Sequence, residues 1–301
     1  MPYRFLTCDV FTDAMFGGNQ LAVFPDARGL SSEQMLAIAR EFNYSETTFV
    51  LPPSDPAHTR RVRIFTPGGE VPFAGHPTVG TAHALTTSGE IALDGEETRI
   101  VFEEAVGPVP VLVRAEGGVP TFAQLSVAML PEATRAPASR EAIALVLGLE
   151  VDDLLDGDYA PECVSCGLPF LFVPLRDRDA VARARIRLDA WEETLGGTTC
   201  EMVFVFAADG ERPGSDVRAR MFAPGIAVPE DPATGSACAA LGGYLGARTP
   251  RDGLLRWVVE QGFEMGRPSI LEIEVDKQGG VITGVRVGGR TVMVMEGTIA
   301  I

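Results

Sequence analysis

Glu46 opens an apolar run, Glu46-Thr-Thr-Phe-Val-Leu51, directly after the polar Asn43-Tyr44-Ser45. Among such neighbours a carboxyl group is desolvated, which disfavours its charged form and moves its pKa toward the range useful for proton transfer. A solvated carboxylate at a strand start is the commoner role of any one glutamate, and spacing leaves both readings open. His76, in Gly75-His76-Pro77-Thr78, stands where a small apolar helix begins. The positive end of a helix disfavours the imidazolium, so a neutral ring that donates or accepts is expected, with a plain capping role as the other reading. Asp231 and Ser236 open a second such helix, and N-capping alone would account for both residue types. His83, seven residues past His76 in an apolar helix, reads as a satisfied core histidine. His58 lies in a polar loop and is expected to take no part.

The elements that must position these groups are two helices, near 76–88 and 232–247. Both are small and almost free of charge on every side, so each is expected to be buried and wrapped by strands, with its start offering free N–H groups to an anion. Asp231-Pro232 reads as the turn that feeds the second helix. Arg63 to Leu85 and Arg220 to Leu241 also align with each other: Arg63 with Arg220, Phe65 with Phe222, Pro67 with Pro224, Pro72 with Pro229 and, after one gap, Thr78 with Thr234. Upstream, Glu46 to Val50 aligns with Glu201 to Val205, which makes Glu201 the counterpart of Glu46. A shared frame of this length is read as a duplicated module whose helix starts face one another, with the chemistry in the cleft between. Because the two copies keep the frame but differ in reactive groups, an asymmetric substrate would suit them.

Around these helices the period-2 and helical patterns give an α+β chain of two strand-rich lobes, each curled about one helix. Strands are expected at 2–11, 60–66, 98–104, 109–114, 269–275, 281–287 and 291–296, and capped amphipathic helices over Ser31–Phe42 and Ser139–Leu149. Residues 115–121, Ala-Glu-Gly-Gly-Val-Pro-Thr, read as the linker, which divides the chain into lobes of 1–118 and 119–301, with the last strand free to return to the first lobe.

With 301 residues, 46% hydrophobic, the chain can bury a large core. A net charge of −16 argues against nucleic acid or an anionic membrane surface as partner, and a small anionic metabolite remains open where local donors outweigh the global field. The start lacks a signal-peptide pattern and no apolar run is long enough for a membrane helix, so a cytoplasmic protein is expected. The cysteines Cys8, Cys163, Cys166, Cys200 and Cys238 are odd in number and do not read as a disulfide framework; Cys163-Val-Ser-Cys166 has a metal or redox spacing but no second copy, and ordinary buried residues are the favoured reading. Lys277 is the sole lysine and reads as part of a turn, so pyridoxal and P-loop chemistry both lack a candidate.

Asn43-Tyr-Ser-Glu-Thr-Thr-Phe-Val-Leu51, the block Phe65 to Leu85, the block Glu230 to Leu245 and Glu260-Gln-Gly-Phe-Glu-Met-Gly-Arg-Pro-Ser269 together resemble the PhzF family of phenazine-biosynthesis-like proteins. The resemblance covers essentially the whole chain. It implies a diaminopimelate-epimerase-like fold of two pseudo-symmetric lobes, each a barrel-like, mostly antiparallel sheet around a central helix. It further implies no cofactor or metal, commonly a homodimer, and isomerase chemistry in which one glutamate moves a proton along the unsaturated ring of a dihydro-hydroxyanthranilate. Carried over, that glutamate is Glu46, the substrate-contacting residues are His76, Asp231 and Ser236, and Gly75 and Gly235 present backbone N–H groups to a carboxylate. Related epimerases of the same fold use two thiols at the helix starts; here those places hold His76 and the Asp231–Ser236 turn. An epimerase using two bases, Glu46 and Asp231, and a non-catalytic metabolite-binding protein are the other readings.

Overall fold

The computed structural model describes residues 2–226 and 228–301. The chain divides into two compact units, Met1–Ala128 with Val287–Ile301, and Met129–Arg286. Unit 1 begins with β1 (Pro2–Val10), β2 (Asn19–Phe24), α1 (Ser32–Phe42), β3 (Glu46–Leu51), β4 (Arg60–Thr66) and β5 (Gly69–Val71). It continues through α2 (Gly75–Thr87), β6 (Glu97–Glu104), β7 (Gly107–Glu116) and β8 (Val119–Ser126). Unit 2 holds β9 (Glu132–Arg135), α3 (Arg140–Leu147), β10 (Glu162–Ser165), β11 (Pro169–Pro174), α4 (Arg178–Arg183), α5 (Leu188–Thr194) and β12 (Val203–Ala207). After these come β13 (Val217–Ala223), β14 (Val228–Asp231), α6 (Gly235–Arg248), β15 (Gly253–Gln261), β16 (Ser269–Gln278) and β17 (Val281–Gly289). Finally β18 (Thr291–Ala300) lies antiparallel to β1.

The pairing pattern of unit 1 recurs in unit 2. In the first, β1 and β2 are antiparallel, β2 and β3 parallel, β3 and β4 antiparallel, β4 and β6 parallel, β6 and β7 antiparallel. In the second, β10 and β11, β11 and β12, β12 and β13, β13 and β15, β15 and β16 repeat that alternation. Each sheet wraps one apolar helix: α2 packs against β1, β2, β3, β7, β8 and β18, and α6 against β9, β10, β11, β15 and β16. Every residue of α2 from Gly75 to Thr86 is buried. Close packing needs the small residues, since a Cβ on Gly80 would lie 2.5 Å from Val10 Cγ2 and one on Gly242 2.8 Å from Ile273 Cγ2. The helix is therefore apolar on all sides because strands surround it.

Amphipathic helices cover the outer faces. In unit 1 α1 is held by a capping box between Ser31 and Gln34 and sits on Phe24, Phe49 and Phe65. In unit 2 α3, α4 and α5 bury Ile143, Val146, Val181 and Trp191 against Val173, Val203 and Val205.

Several expectations are corrected. The region 115–121 is not a linker: Gly117 and Gly118, both at positive φ, turn β7 into β8, and unit 1 runs on to Ala128. Lys277 is not in a turn but in β16, buried, and its Nζ donates to the carbonyls of Gly246 (2.9 Å) and Thr249 (2.6 Å) at the end of α6. A cation there meets the negative end of the helix and its orphan carbonyls. Cys163 and Cys200 are not ordinary buried thiols but form a disulfide, whereas Cys8, Cys166 and Cys238 are free. Burial pushes the Cys166 thiol up to about 12 and the other two further. No group of acidic, His or Cys side chains among the described residues has the arrangement of a metal site.

Candidate active site

In unit 1 the site is built where β3 starts and α2 starts. Glu46 is the first residue of β3, paired in parallel register with Leu21 of β2, and its side chain is 18% exposed. His76 is the second residue of α2, 5% exposed, and its Nδ1 lies 3.5 Å from Glu46 Oε2. Burial pushes the imidazole down to about 3, with a hydrogen bond from the ring to the Gln20 backbone acting the other way. At neutral pH the ring is uncharged, so the pair is a carboxyl group beside a neutral imidazole rather than a salt bridge. Desolvation is thus a cause of the neutrality expected for His76 in addition to its place at the helix start. Its Nε2 is buried with no hydrogen-bond partner among the described residues. Native structures rarely strand such an atom, so a ligand group is the natural complement.

The two central helices share a further property. The outer helices α1, α3 and α4 have side-chain caps from Ser31, Ser139 and Asp177, while α2 begins after Ala74 and α6 after Thr234 with no side-chain cap bond at either, as does the short outer helix α5 after Arg187. Gly75 and Gly235 are the first residues of these helices. Asp231 and Ser236, for which N-capping was one reading, do not cap α6: Asp231 ends β14 and Ser236 is the second residue of the helix. Pro232 likewise stands before the helix rather than in its first turn.

Asp231 is held from several sides. Thr234 Oγ1 donates to Asp231 Oδ2 (2.5 Å), Gln261 Nε2 donates to the Asp231 carbonyl (2.8 Å) and to Thr234 Oγ1 (2.9 Å), and Gln261 Oε1 accepts from the Thr234 N–H (3.1 Å). Gly262 follows at φ +76°, and a Cβ there would fall 2.5 Å from the Pro232 carbonyl oxygen. Arg218 binds Glu260 (3.2 Å) and Glu264 (3.0 Å) and covers the Phe263 ring, which fixes the rest of the segment. The block Glu260–Ser269, noted in sequence only as part of a resemblance, is thus the support of the Asp231 turn.

Strand register also revises the internal alignment. Thr47 faces Phe65 in β3–β4 and Val203 faces Phe222 in β12–β13, so with Phe65 equivalent to Phe222 the counterpart of Glu46 is Met202, not Glu201. A one-residue slip turns a strand side chain to the other face. Glu201 instead accepts from the Gly197 N–H (3.0 Å). Ile64 pairs with Val71 and Met221 with Asp231, which makes Asp231 the counterpart of Val71 and, four residues on, Gly235 that of Gly75. His76 then corresponds to Ser236, and Thr78 to Cys238 rather than Thr234. Cys238 is fully buried. His83 is buried as expected, but its Nδ1 has no partner among the described residues and burial lowers its pKa to about 4, so it is not a satisfied histidine. His58 lies 3.6 Å from Glu103.

Residues 8–297 match the family model described as phenazine biosynthesis-like protein. The chain is 41% identical over 303 residues to an uncharacterized isomerase of Mesorhizobium japonicum, covering 99% of each chain. It is 33% identical over 296 residues to the trans-2,3-dihydro-3-hydroxyanthranilate isomerase of Pseudomonas aeruginosa, covering 98% of each. A crystal structure of a Bacillus anthracis phenazine biosynthesis protein of the PhzF family superposes with a TM-score of 0.90 at 26% identity over the full length of both. With its repeated strand pattern and its carboxyl–imidazole pair at a buried helix start, the chain belongs to the phenazine biosynthesis-like family and is an isomerase.

Proposed function

We propose that this isomerase moves a proton between two carbons of a small unsaturated cyclic amino- and hydroxy-substituted carboxylate of the dihydro-hydroxyanthranilate kind, with Glu46 as the acid/base. The observation that carries the reading is the Glu46 carboxyl group 3.5 Å from a buried, uncharged His76 whose Nε2 has no partner among the described residues. A carboxylate can take a proton from a carbon next to an electron-withdrawing system and, as the acid so formed, return it to another carbon of the same ring. Bond making and breaking then balance without an added reagent. A neutral imidazole offers one donor or acceptor to a substrate substituent without placing a fixed positive charge beside the base. His76, Asp231 and Ser236 take the polar substituents, and the uncapped first turns at Gly75 and Gly235 supply N–H groups for a carboxylate and for charge that develops during transfer. The matching relative from Pseudomonas aeruginosa is named for this ring substrate, which supports the choice.

The test is turnover of trans-2,3-dihydro-3-hydroxyanthranilate by wild type and by Glu46→Gln. Wild type is expected to shift the ring double bond, and the variant to lose on the order of 10²- to 10⁴-fold in kcat, the usual share of a positioned acid/base. A variant that keeps the wild-type rate contradicts the assignment. Exchange and inversion at the α-carbon of an amino acid in place of ring isomerisation would favour a two-base epimerase.

A further inference from the structure

The last residues of β6 and β15 occupy equivalent positions in the two units. Arg60 pairs with Phe102 in β4–β6 and Val217 with Val259 in β13–β15, a constant offset of 157 (217 against 60, 259 against 102). By that offset Gln261 is the counterpart of Glu104, and both are buried. Both also reach into the start of the central helix of their own unit. Gln261 uses both amide protons and its oxygen on Asp231 and Thr234. Glu104 Oε1 lies 2.7 Å from Thr78 Oγ1, and Thr78 Oγ1 lies 2.8 Å from the Ala74 carbonyl at the helix start.

A hydroxyl has one proton, so both Thr78 contacts can be hydrogen bonds only if Glu104 brings a proton of its own. Burial favours that form, since it raises the Glu104 carboxyl to about 8. A protonated carboxyl has nearly the shape of a carboxamide and, like it, both donates and accepts. Through Oε1 Glu104 therefore gives α2 a donor as the Gln261 amide protons do at α6, although the partners lie at different points of the first turn and Glu104 Oε2 has no partner among the described residues.

We propose that Glu104 and Gln261 are matched positioning residues, one in each unit, that fix the helix start carrying His76 and the turn carrying Asp231 and Ser236. The inference rests on those residues contacting substrate. Thr234 links Gln261 to the Asp231 carboxylate, so the amide sets the direction in which Asp231 points without itself meeting substrate. In unit 1 the link runs through Thr78 to Ala74, the residue before Gly75 and His76.

The experiment compares Glu104→Ala, Glu104→Gln and Gln261→Ala with wild type by steady-state kinetics on trans-2,3-dihydro-3-hydroxyanthranilate and by amide hydrogen exchange at residues 75–78 and 235–238. Displacement of a contact by about an ångström can cost roughly 10²-fold. Both alanine variants are expected to lose about 10- to 100-fold in kcat/KM and to speed exchange selectively at their own helix start, while Glu104→Gln keeps kcat/KM within about twofold of wild type. If the alanine variants lower Tm but leave kcat/KM and local exchange unchanged, or if Glu104→Gln fails as fully as Glu104→Ala, the proposal is wrong. Should wild type itself not turn over this ring, the substrate reading fails, and the exchange pattern with the glutamine rescue still decides the positioning role. Should Gln261→Ala not fold, Gln261→Asn, which draws the amide back by one methylene, makes the same comparison.

Discussion

A buried imidazole that stays uncharged is costly to protonate, and this sets both the chemistry and the acid limit of the molecule. His76 titrates near 3 and His83 near 4, below the ordinary 6.5, because both are desolvated. The unfolded chain takes up protons that the native state refuses, so stability is expected to fall as pH drops from about 6.5 toward 3. Urea unfolding at a series of acidic pH values checks this, and His83→Asn should flatten part of the slope while leaving the Glu46–His76 pair in place. The types and positions of Glu46 and His76 were legible because a lone polar residue at the edge of an apolar run stands out. The counterpart of Glu46 was not, since Glu201 and Met202 differ by one step of a strand and only hydrogen-bond register separates them. The part that burial plays in keeping His76 neutral was not legible either, because a single sequence does not give it.

At the scale of elements, the central helices were readable as buried because their sequences lack a polar face, and their bounds agree with the structure within three residues. Their anchoring was hidden, because Gln261 lies 27 positions from Thr234 and Glu104 lies 26 from Thr78. Glu104 also gives an alkaline limit. Its carboxyl is raised from 4.5 to about 8, so its contribution to stability is full below pH 4.5 and is lost as pH rises through about 8. Above the range in which the histidines act, the unfolding midpoint should therefore fall between about pH 6.5 and 8, and Glu104→Gln, which cannot ionise, should remove that dependence. Gly262 is a second element-scale test. At φ +76°, with no room for a Cβ beside Pro232, Gly262→Ala should destabilise the protein by roughly 1–3 kcal/mol and loosen amides of the Asp231 turn, read by denaturant unfolding and hydrogen exchange. An unchanged midpoint would mean that the β15–β16 corner relaxes without cost.

The chain as a whole is a duplication, and that much is visible in sequence from the matched Arg, Phe and Pro positions. The three-position change of offset between β13 and β14 was not, which is why Thr78 was set against Thr234, about one helical turn from its true counterpart. The cross-link was equally hidden: Cys163 pairs not with its near neighbour Cys166 but with Cys200, 37 residues away and within the same unit. Closing a loop of that length is worth roughly 3–4 kcal/mol in the chain-entropy account, so Cys163→Ser with Cys200→Ser should lower the unfolding free energy by about that amount and leave kcat unchanged at moderate temperature. Among the described residues no helix is long and apolar enough to cross a membrane. The central claim is that Glu46 carries one proton between two carbons of one ring. Turnover of trans-2,3-dihydro-3-hydroxyanthranilate in deuterium oxide, followed by NMR, tests it most directly. Wild type is expected to give the shifted double bond with hydrogen retained at the newly protonated carbon, deuterium entering there only in the fraction whose carboxyl group exchanges before returning its proton, and Glu46→Gln neither shift nor label. Isomerisation and label that persist at the wild-type rate in Glu46→Gln would contradict the account.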